Sequence, residues 1–172
     1  MRLVPDAYYK NVFEINYDNL VKKEYKYIFF DVDNTLLTYD SKNVDEKIIK
    51  LFKNIKEKGL EPIIISNSRK NRIGIILNTL DIKGYTFSKK PLKFVYKNII
   101  NKYDKNKCVF IGDQLMTDVL GAKRNKLKVI LVDRINDNEP FGTKIWRFFE
   151  RKILKKYDNK KIFIVKKYYD NL

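Results

Sequence analysis

Apolar residues fall along this chain in two rhythms. Short unbroken runs, Tyr27-Ile28-Phe29-Phe30, Pro62-Ile63-Ile64-Ile65, Val109-Phe110-Ile111 and Val129-Ile130-Leu131-Val132, lie at regular intervals. Runs of that length without an inner polar position read as strands buried on both faces. Between them apolar residues recur at helical spacing. Val44, Ile48, Leu51, Phe52 and Ile55 share one face of a helix predicted over 44–58, with Asn43 placed to cap it and Gly59 to stop it. Further helices are predicted over 72–80, over 92–103 with Leu92, Val95, Tyr96 and Ile99 inward, and over 117–123. A short strand is predicted at Tyr85-Thr86-Phe87. Strands and helices alternating in this way predict an α/β fold, a doubly wound parallel sheet of about five strands.

Three segments follow from the pattern. Residues 1–24 carry Tyr8, Tyr9, Val12, Phe13, Ile15 and Leu20 and read as a lead-in packed on the core. Residues 25–133 form the core itself. Residues 134–172 hold a loop at Asn136-Asp137-Asn138-Glu139-Pro140, then a basic, aromatic helix and tail. A chain of 172 residues is long enough for one domain with a sizeable core.

Composition removes several mechanisms. With no histidine, Ser-His-Asp and Cys-His nucleophiles are excluded, as is a His-Glu-x-x-His zinc site. The single cysteine, Cys108, lies in an apolar run and reads as a small core residue that fits a reducing compartment. No uncharged run approaches the ~20 apolar residues of a membrane span, and no apolar stretch follows Met1-Arg2 as in a secretory signal. The expected location is cytoplasmic, with a peripheral position at the inner membrane face as the alternative. The net charge of +16, from 37 Lys/Arg against 21 Asp/Glu, suits anionic partners: phosphorylated substrates, anionic membrane or nucleic acid.

Chemistry enters at four places in order: Asp31-Val32-Asp33-Asn34-Thr35, Ser66, Lys90 before Pro91, and Gly112-Asp113-Gln114-Leu115-Met116-Thr117-Asp118. Each stands at or soon after a predicted strand end, and in a doubly wound sheet such ends gather into one crevice. Asp31 and Asp33, two apart, would share one side of an extended segment. With Asp113 they would form three clustered carboxylates, which need a cation with oxygen ligands, Mg²⁺ by preference. On a phosphate ester Asp31 could attack phosphorus while Asp33 serves as acid and then base. Ser66 and Asn67 could hold phosphoryl oxygens, Lys90 could supply positive charge, and Asp118 could orient a metal water or hold Lys90. Taken singly, Asp31, Ser66 and Asp118 read equally well as turn or cap residues, and Lys89 leaves open which lysine enters the site.

The four motifs resemble those of the haloacid dehalogenase (HAD) superfamily over about 27–132. The resemblance implies a Rossmann-like sheet with the first strand of the core central, an aspartyl-phosphate intermediate and Mg²⁺. It also implies that Asp33 lends its backbone carbonyl to the metal beside Asp31 and Asp113. The wording of Gly112 to Asp118, the lead-in Pro5-Asp6 and the tail Trp146-Arg147-Phe148-Phe149-Glu150-Arg151 look like the cap-less IIIA branch, which includes phosphatidylglycerophosphate phosphatases.

Spacing bears separately on the substrate. Between Asp33 and Ser66, and again between Ser66 and Lys90, there is room for one helix and one strand and no cap domain. An open site favours a bulky substrate that excludes water itself. From residue 144 onward ten Lys/Arg face three Asp/Glu, so 7 of the 16 net charges lie there. In helical projection Ile145, Trp146, Phe149, Ile153 and Tyr157 form one face, with Arg147, Arg151, Lys152 and Lys155 on the other. That pattern fits an interfacial anchor, or a helix packed on the domain with a solvated basic back. The expected function is a Mg²⁺-dependent phosphomonoester hydrolase for a bulky substrate, with phosphatidylglycerophosphate first. Its rivals are a phosphatase for nucleotides, nucleic acid ends or small phosphometabolites, and an RNA- or ribosome-assembly-associated binding module with weak phosphatase activity. Nucleic acid ranks behind lipid as a partner.

Overall fold

The computed structural model describes residues 3–39, 41–86, 88–90, 93–137 and 141–172, leaving aside the side chains of 93–96 and 141–145. The expectations for Phe87, Pro91, Asn138-Glu139-Pro140 and the side chains of Leu92, Val95, Tyr96 and Ile145 lie outside the described residues. The strands are β1 (Ala7–Tyr9), β2 (Tyr27–Phe30), β3 (Glu61–Ile65), β4 (Lys83–Tyr85), β5 (Cys108–Gly112), β6 (Lys128–Val132) and β7 (Tyr169–Asp170). They make one sheet in the order β4-β3-β2-β5-β6-β1-β7, parallel throughout except for the antiparallel pair β1–β7.

Both faces of the sheet are covered. Ile28, Phe30, Ile64, Val109, Ile111, Ile130 and Val132 point to one cluster, and Phe29, Ile63, Ile65, Cys108, Phe110, Val129 and Leu131 to the other. This strict alternation explains why the strands read as unbroken apolar runs. The first face is covered by α1 (Tyr17–Lys22), α2 (Glu46–Glu57) and α3 (Lys70–Leu80), through Leu20, Ile48, Phe52, Ile55, Ile73, Ile76 and Leu80. The second takes α4 (Lys93–Ile100), α5 (Leu120–Arg124) and α6 (Phe141–Asn159), through Ile99, Ile100, Ala122, Leu154 and Tyr157. The architecture is the doubly wound α/β sheet, with seven strands rather than about five.

The two extra strands come from the ends of the chain. Ala7 pairs with Ile130 and Tyr8 with Leu131, so the lead-in extends the sheet beyond β6. Asp6 fixes this register: its carboxylate accepts from Val129 N at 2.8 Å and pairs with Lys123 at 2.6 Å. Residues 169 and 170 then pair with Tyr8 and Ala7. Strands of two and three residues carry too little periodicity to be read from sequence.

Smaller differences have local causes. The Asp45 carboxylate, not Asn43, caps α2 by accepting from Ile48 N at 2.9 Å. Gly59 takes φ 81 at the helix end, a conformation glycine adopts without strain. Strand β4 lies two residues before the predicted Tyr85-Thr86-Phe87, because Lys83, Gly84 and Tyr85 are the residues in register with Ile63, Ile64 and Ile65. The helix predicted over 117–123 begins instead with a π-helical turn, Leu115–Val119, and continues as α5.

The cap assignment is tested by thermodynamics. Asp45→Ala should cost about 1 kcal/mol of unfolding free energy, whereas Asn43→Ala should change it by less than about 0.5 kcal/mol. Urea denaturation of the two variants distinguishes them.

Candidate active site

Strand ends deliver the reactive side chains to one place. Asp31 follows β2, and its amide donates to Ile111 O of β5 at 2.9 Å, so it stands beside the end of β5 where Asp113 emerges. Ser66 follows β3, its amide donating to Tyr85 O at 3.0 Å, and Ser88 N returns to Ser66 O at 3.1 Å. That second bond carries the segment after β4 back over the site and delivers Lys90. Lys90 is buried while Lys89 is exposed at φ 49, which resolves the choice between them.

Lys90 Nζ donates to Asp31 Oδ1 at 2.6 Å and to Asp118 Oδ1 at 2.7 Å. It also lies 5.2 Å from the centre of the Phe110 ring, a cation–π distance. Thr35 Oγ1 lies 3.3 Å from Asp31 Oδ2 and 3.2 Å from Asp113 Oδ1, tying the two carboxylates together. Asp118 Oδ2 accepts from Gln114 N at 3.1 Å. Gly112 makes that packing possible: a Cβ there would sit 2.5 Å from Asp118 Cγ. Asp118 thus takes the part of holding Lys90, one of the two foreseen for it.

Two sequence expectations change. The carboxylates that converge are Asp31, Asp113 and Asp118, with one oxygen of each within 4.8 Å of the others. Asp33 is not among them. The chain turns after Val32, with Asn34 at φ 62 and Leu37 N bonded to Val32 O at 3.1 Å, so the two-residue period of an extended segment does not apply. The Asp33 carboxylate instead meets Ser68 Oγ and Arg72 Nη1. Asn67, expected to hold phosphate, spends its amide on the backbone that carries Lys90. Its Oδ1 accepts from Lys90 N at 2.8 Å and Ser88 Oγ at 2.9 Å, and its Nδ2 donates to Lys90 O at 3.1 Å.

Sequence reading missed Arg147 and Glu150. Arg147, placed on the solvated face of the tail helix, is buried, and it donates to the Asp113 carboxylate, to Asp113 O at 3.2 Å and to Glu150 Oε2 at 2.9 Å. Glu150 Oε1 accepts from Met116 N at 2.9 Å. The inward residues of α6 are Arg147, Glu150, Leu154 and Tyr157, while Trp146, Phe148 and Phe149 are exposed at 43%, 48% and 47%. The available signal was an Arg and a Glu three apart among aromatics, which also pair across one helical turn.

Every buried charge among the described residues belongs to this cluster: Asp31, Asp113, Asp118 and Glu150 against Lys90 and Arg147. Four acids against two bases leave an excess of two negative charges. Burial pushes the Asp31 carboxyl well up, opposed by Lys90 and reinforced by Asp118, Asp33 and Asp113. Burial likewise raises Asp113 to about 7 despite Arg147, and Glu150 is raised for the same reason. Burial favours a neutral Lys90, but Asp118 and Asp31 outweigh it and hold the ammonium charged above its ordinary range. A site of carboxylate oxygens short of two positive charges fits a divalent cation held by Asp31, Asp113 and Asp118.

Beside Asp113 lies a cavity of about 430 Å³ between the β6–α6 connection, α6 and residues 163–166. Leu131, Leu154 and Phe163 form apolar wall, and the charged lining is mixed, with Arg134, Arg151 and Lys166 beside Asp133 and Asp137. Only α2 and β3 lie between Asp33 and Ser66, and only α3 and β4 between Ser66 and Lys90, so among the described residues no domain covers the crevice.

A family model described as HAD-hydrolase-like matches residues 88–138, the stretch that carries Lys90, Asp113 and Asp118. A protein of Bacillus subtilis (strain 168) described as "Probable phosphatase YqeG" is 35% identical over 153 residues, 88% of this chain and 89% of the relative. Among solved structures, an uncharacterized protein from Listeria monocytogenes serotype 4b superposes with TM-score 0.54 at 19% identity, over 67% of this chain and 85% of that one. The cobalt-bound deoxy-D-mannose-octulosonate 8-phosphate phosphatase of Haemophilus influenzae gives TM-score 0.52 at 13% identity, over 82% and 94%. The two structures speak for the fold, and the Bacillus relative for the family. A relative of that identity along nearly the whole chain, together with a sheet end that gathers its acids around one lysine and that no domain covers among the described residues, makes this chain a member of the HAD superfamily of phosphatases.

Proposed function

We propose that this phosphatase is Mg²⁺-dependent, works through an aspartyl-phosphate on Asp31, and acts on a bulky phosphomonoester presented at an anionic lipid surface. The observation that carries the chemistry is the buried cluster of Asp31, Asp113, Asp118 and Lys90 with two negative charges in excess. Bound there, Mg²⁺ would screen the phosphate from the carboxylates and stabilise charge on its oxygens.

The chain's own residues divide the rest. Asp31, steadied by Lys90 and Thr35, forms an oxygen–phosphorus bond as the bond from phosphorus to the alcohol breaks. Asp33, whose carboxylate pairs with Arg72 and is 24% exposed, serves as acid by taking up a proton from solvent and passing it to the departing oxygen. It then takes a proton from the water that attacks phosphorus, which frees Asp31 and releases phosphate. Lys90 adds positive charge to the transferred phosphoryl group. The Ser66 hydroxyl, which accepts from Ser68 N at 3.0 Å, keeps its own proton to donate to a phosphoryl oxygen.

Three observations support the choice of substrate: the uncovered crevice, the cavity beside Asp113 with its apolar wall, and the outer face of α6. There Trp146, Phe148 and Phe149 are exposed, with Lys152 4.5 Å from the Phe148 ring centre. Aromatic and basic residues on one exposed helix suit the bilayer interface, where each basic residue adds about 1 kcal/mol of attraction. Phosphatidylglycerophosphate is the first candidate. Its turnover in anionic micelles should far exceed that of glycerol phosphate in a phosphate-release assay. Efficient hydrolysis of sugar or nucleotide phosphates with none of the lipid would replace this substrate by a small metabolite.

Asp31→Asn keeps the shape and removes the attacking anion. Turnover should fall by several orders of magnitude while the circular dichroism spectrum stays that of the wild type. An active variant would remove Asp31 from the nucleophile's role.

Without metal, pH should act through the raised carboxyls. Asp113 titrates near 7 when folded against 3.8 ordinarily, so between those values the folded chain holds a proton that the unfolded chain releases. Stability in EDTA should therefore fall as pH rises from about 4 to about 7, with Asp31 acting in the same direction. Saturating Mg²⁺ should flatten that slope in thermal unfolding, and a slope unaffected by Mg²⁺ would count against cation binding at these carboxylates.

A further inference from the structure

Arg147 reaches the site from a helix outside the strands and turns that make the crevice. It stands 34 residues after Asp113, yet its guanidinium engages both the Asp113 carboxylate, through Oδ2, and the Asp113 carbonyl. Three residues on, Glu150 accepts from Met116 N at 2.9 Å. One turn of α6 therefore grips the chain on both sides of the Gln114-Leu115 step that follows β5. The other Asp113 oxygen, Oδ1, is left facing Thr35 Oγ1 at 3.2 Å, on the side of Asp31.

What α6 contributes there is geometry with no net formal charge. Arg147 and Glu150 pair at 2.9 Å and cancel each other. Asp31, Asp113 and Asp118 against Lys90 then still leave two negative charges, the number a dication supplies. Were Arg147 a stand-in for the cation, its charge would be needed to neutralise the aspartates. Glu150 removes that function, and the planar two-nitrogen fork remains.

We propose, on the basis of the cation site described above, that Arg147 is a positioning residue that locks Asp113 with Oδ1 turned toward the cation. Docking of α6 and occupation of the metal site are therefore linked. Each must strengthen the other by the same factor, because both depend on one orientation of Asp113. The exposed aromatic face of α6 is carried on the same helix, so whatever steadies that face also steadies Asp113.

The full-length protein provides two tests. Arg147→Lys keeps the charge and loses the fork, so calorimetric titration with Mg²⁺ should show affinity about 10-fold weaker or more, as when the partners that orient metal ligands are removed. Far-UV dichroism checks that the variant is folded. Equal Mg²⁺ affinity in a folded Arg147→Lys protein overturns the positioning role while leaving the cation site standing. The second test needs no variant: in the wild type, saturating Mg²⁺ should slow amide hydrogen exchange along 146–157 as well as around Asp113. Exchange in that stretch of α6 that ignores Mg²⁺ overturns the linkage. A wild type that takes up no Mg²⁺ at all removes the cation site and this role with it, and Asp113→Asn, which would then titrate no differently, identifies that case.

Discussion

Six buried charges at one end of the sheet, four carboxylates and two bases, are the constraint around which the rest is arranged. Removing a charge from water costs several kcal/mol unless partners restore the lost interactions. Here each partner is supplied from a different part of the chain: Lys90 after β4, Asp118 from the turn after β5, Arg147 and Glu150 from α6. The formal balance remains negative, and burial, reinforced by the neighbouring acids, raises the Asp31 and Asp113 carboxyls.

The parallel sheet makes the cluster possible at modest cost. Strands β2, β3 and β5 lie side by side and end level, since Phe30 pairs with both Ile64 and Ile111. Residues immediately beyond those ends are therefore neighbours, although they lie tens of positions apart in the chain. Chain order reverses across β2, which leaves the crevice between diverging connections open. Gly112 completes the fit by leaving space for the Asp118 side chain against the end of β5.

The C-terminal helix serves the fold with one side and offers the other to the surroundings. Leu154 and Tyr157 pack on the second face of the sheet, while Arg147 and Glu150 extend that inner side to the site. Trp146, Phe148 and Phe149 are left outward.

Local pattern determined the framework. Four central strands, the parallel order and the placing of Asp31, Ser66, Lys90 and Asp113 near strand ends all follow from apolar runs and their spacing, because burial on both faces writes itself into consecutive residues. The end strands were illegible: two or three residues at β1 and β7 carry no period, and their pairing is a property of distant edges. Within the site, the turn at Asn34 decided that Asp33 leaves the carboxylate cluster, and packing decided that Lys90 rather than Lys89 enters it. The inner face of α6 was the largest tertiary decision. Helical projection by hydropathy turns aromatics inward and charges outward, but a buried Asp113 offers Arg147 a partner that water cannot match in a low-dielectric interior. A sequence displays which residues are apolar; only the folded chain sets out which charges have partners.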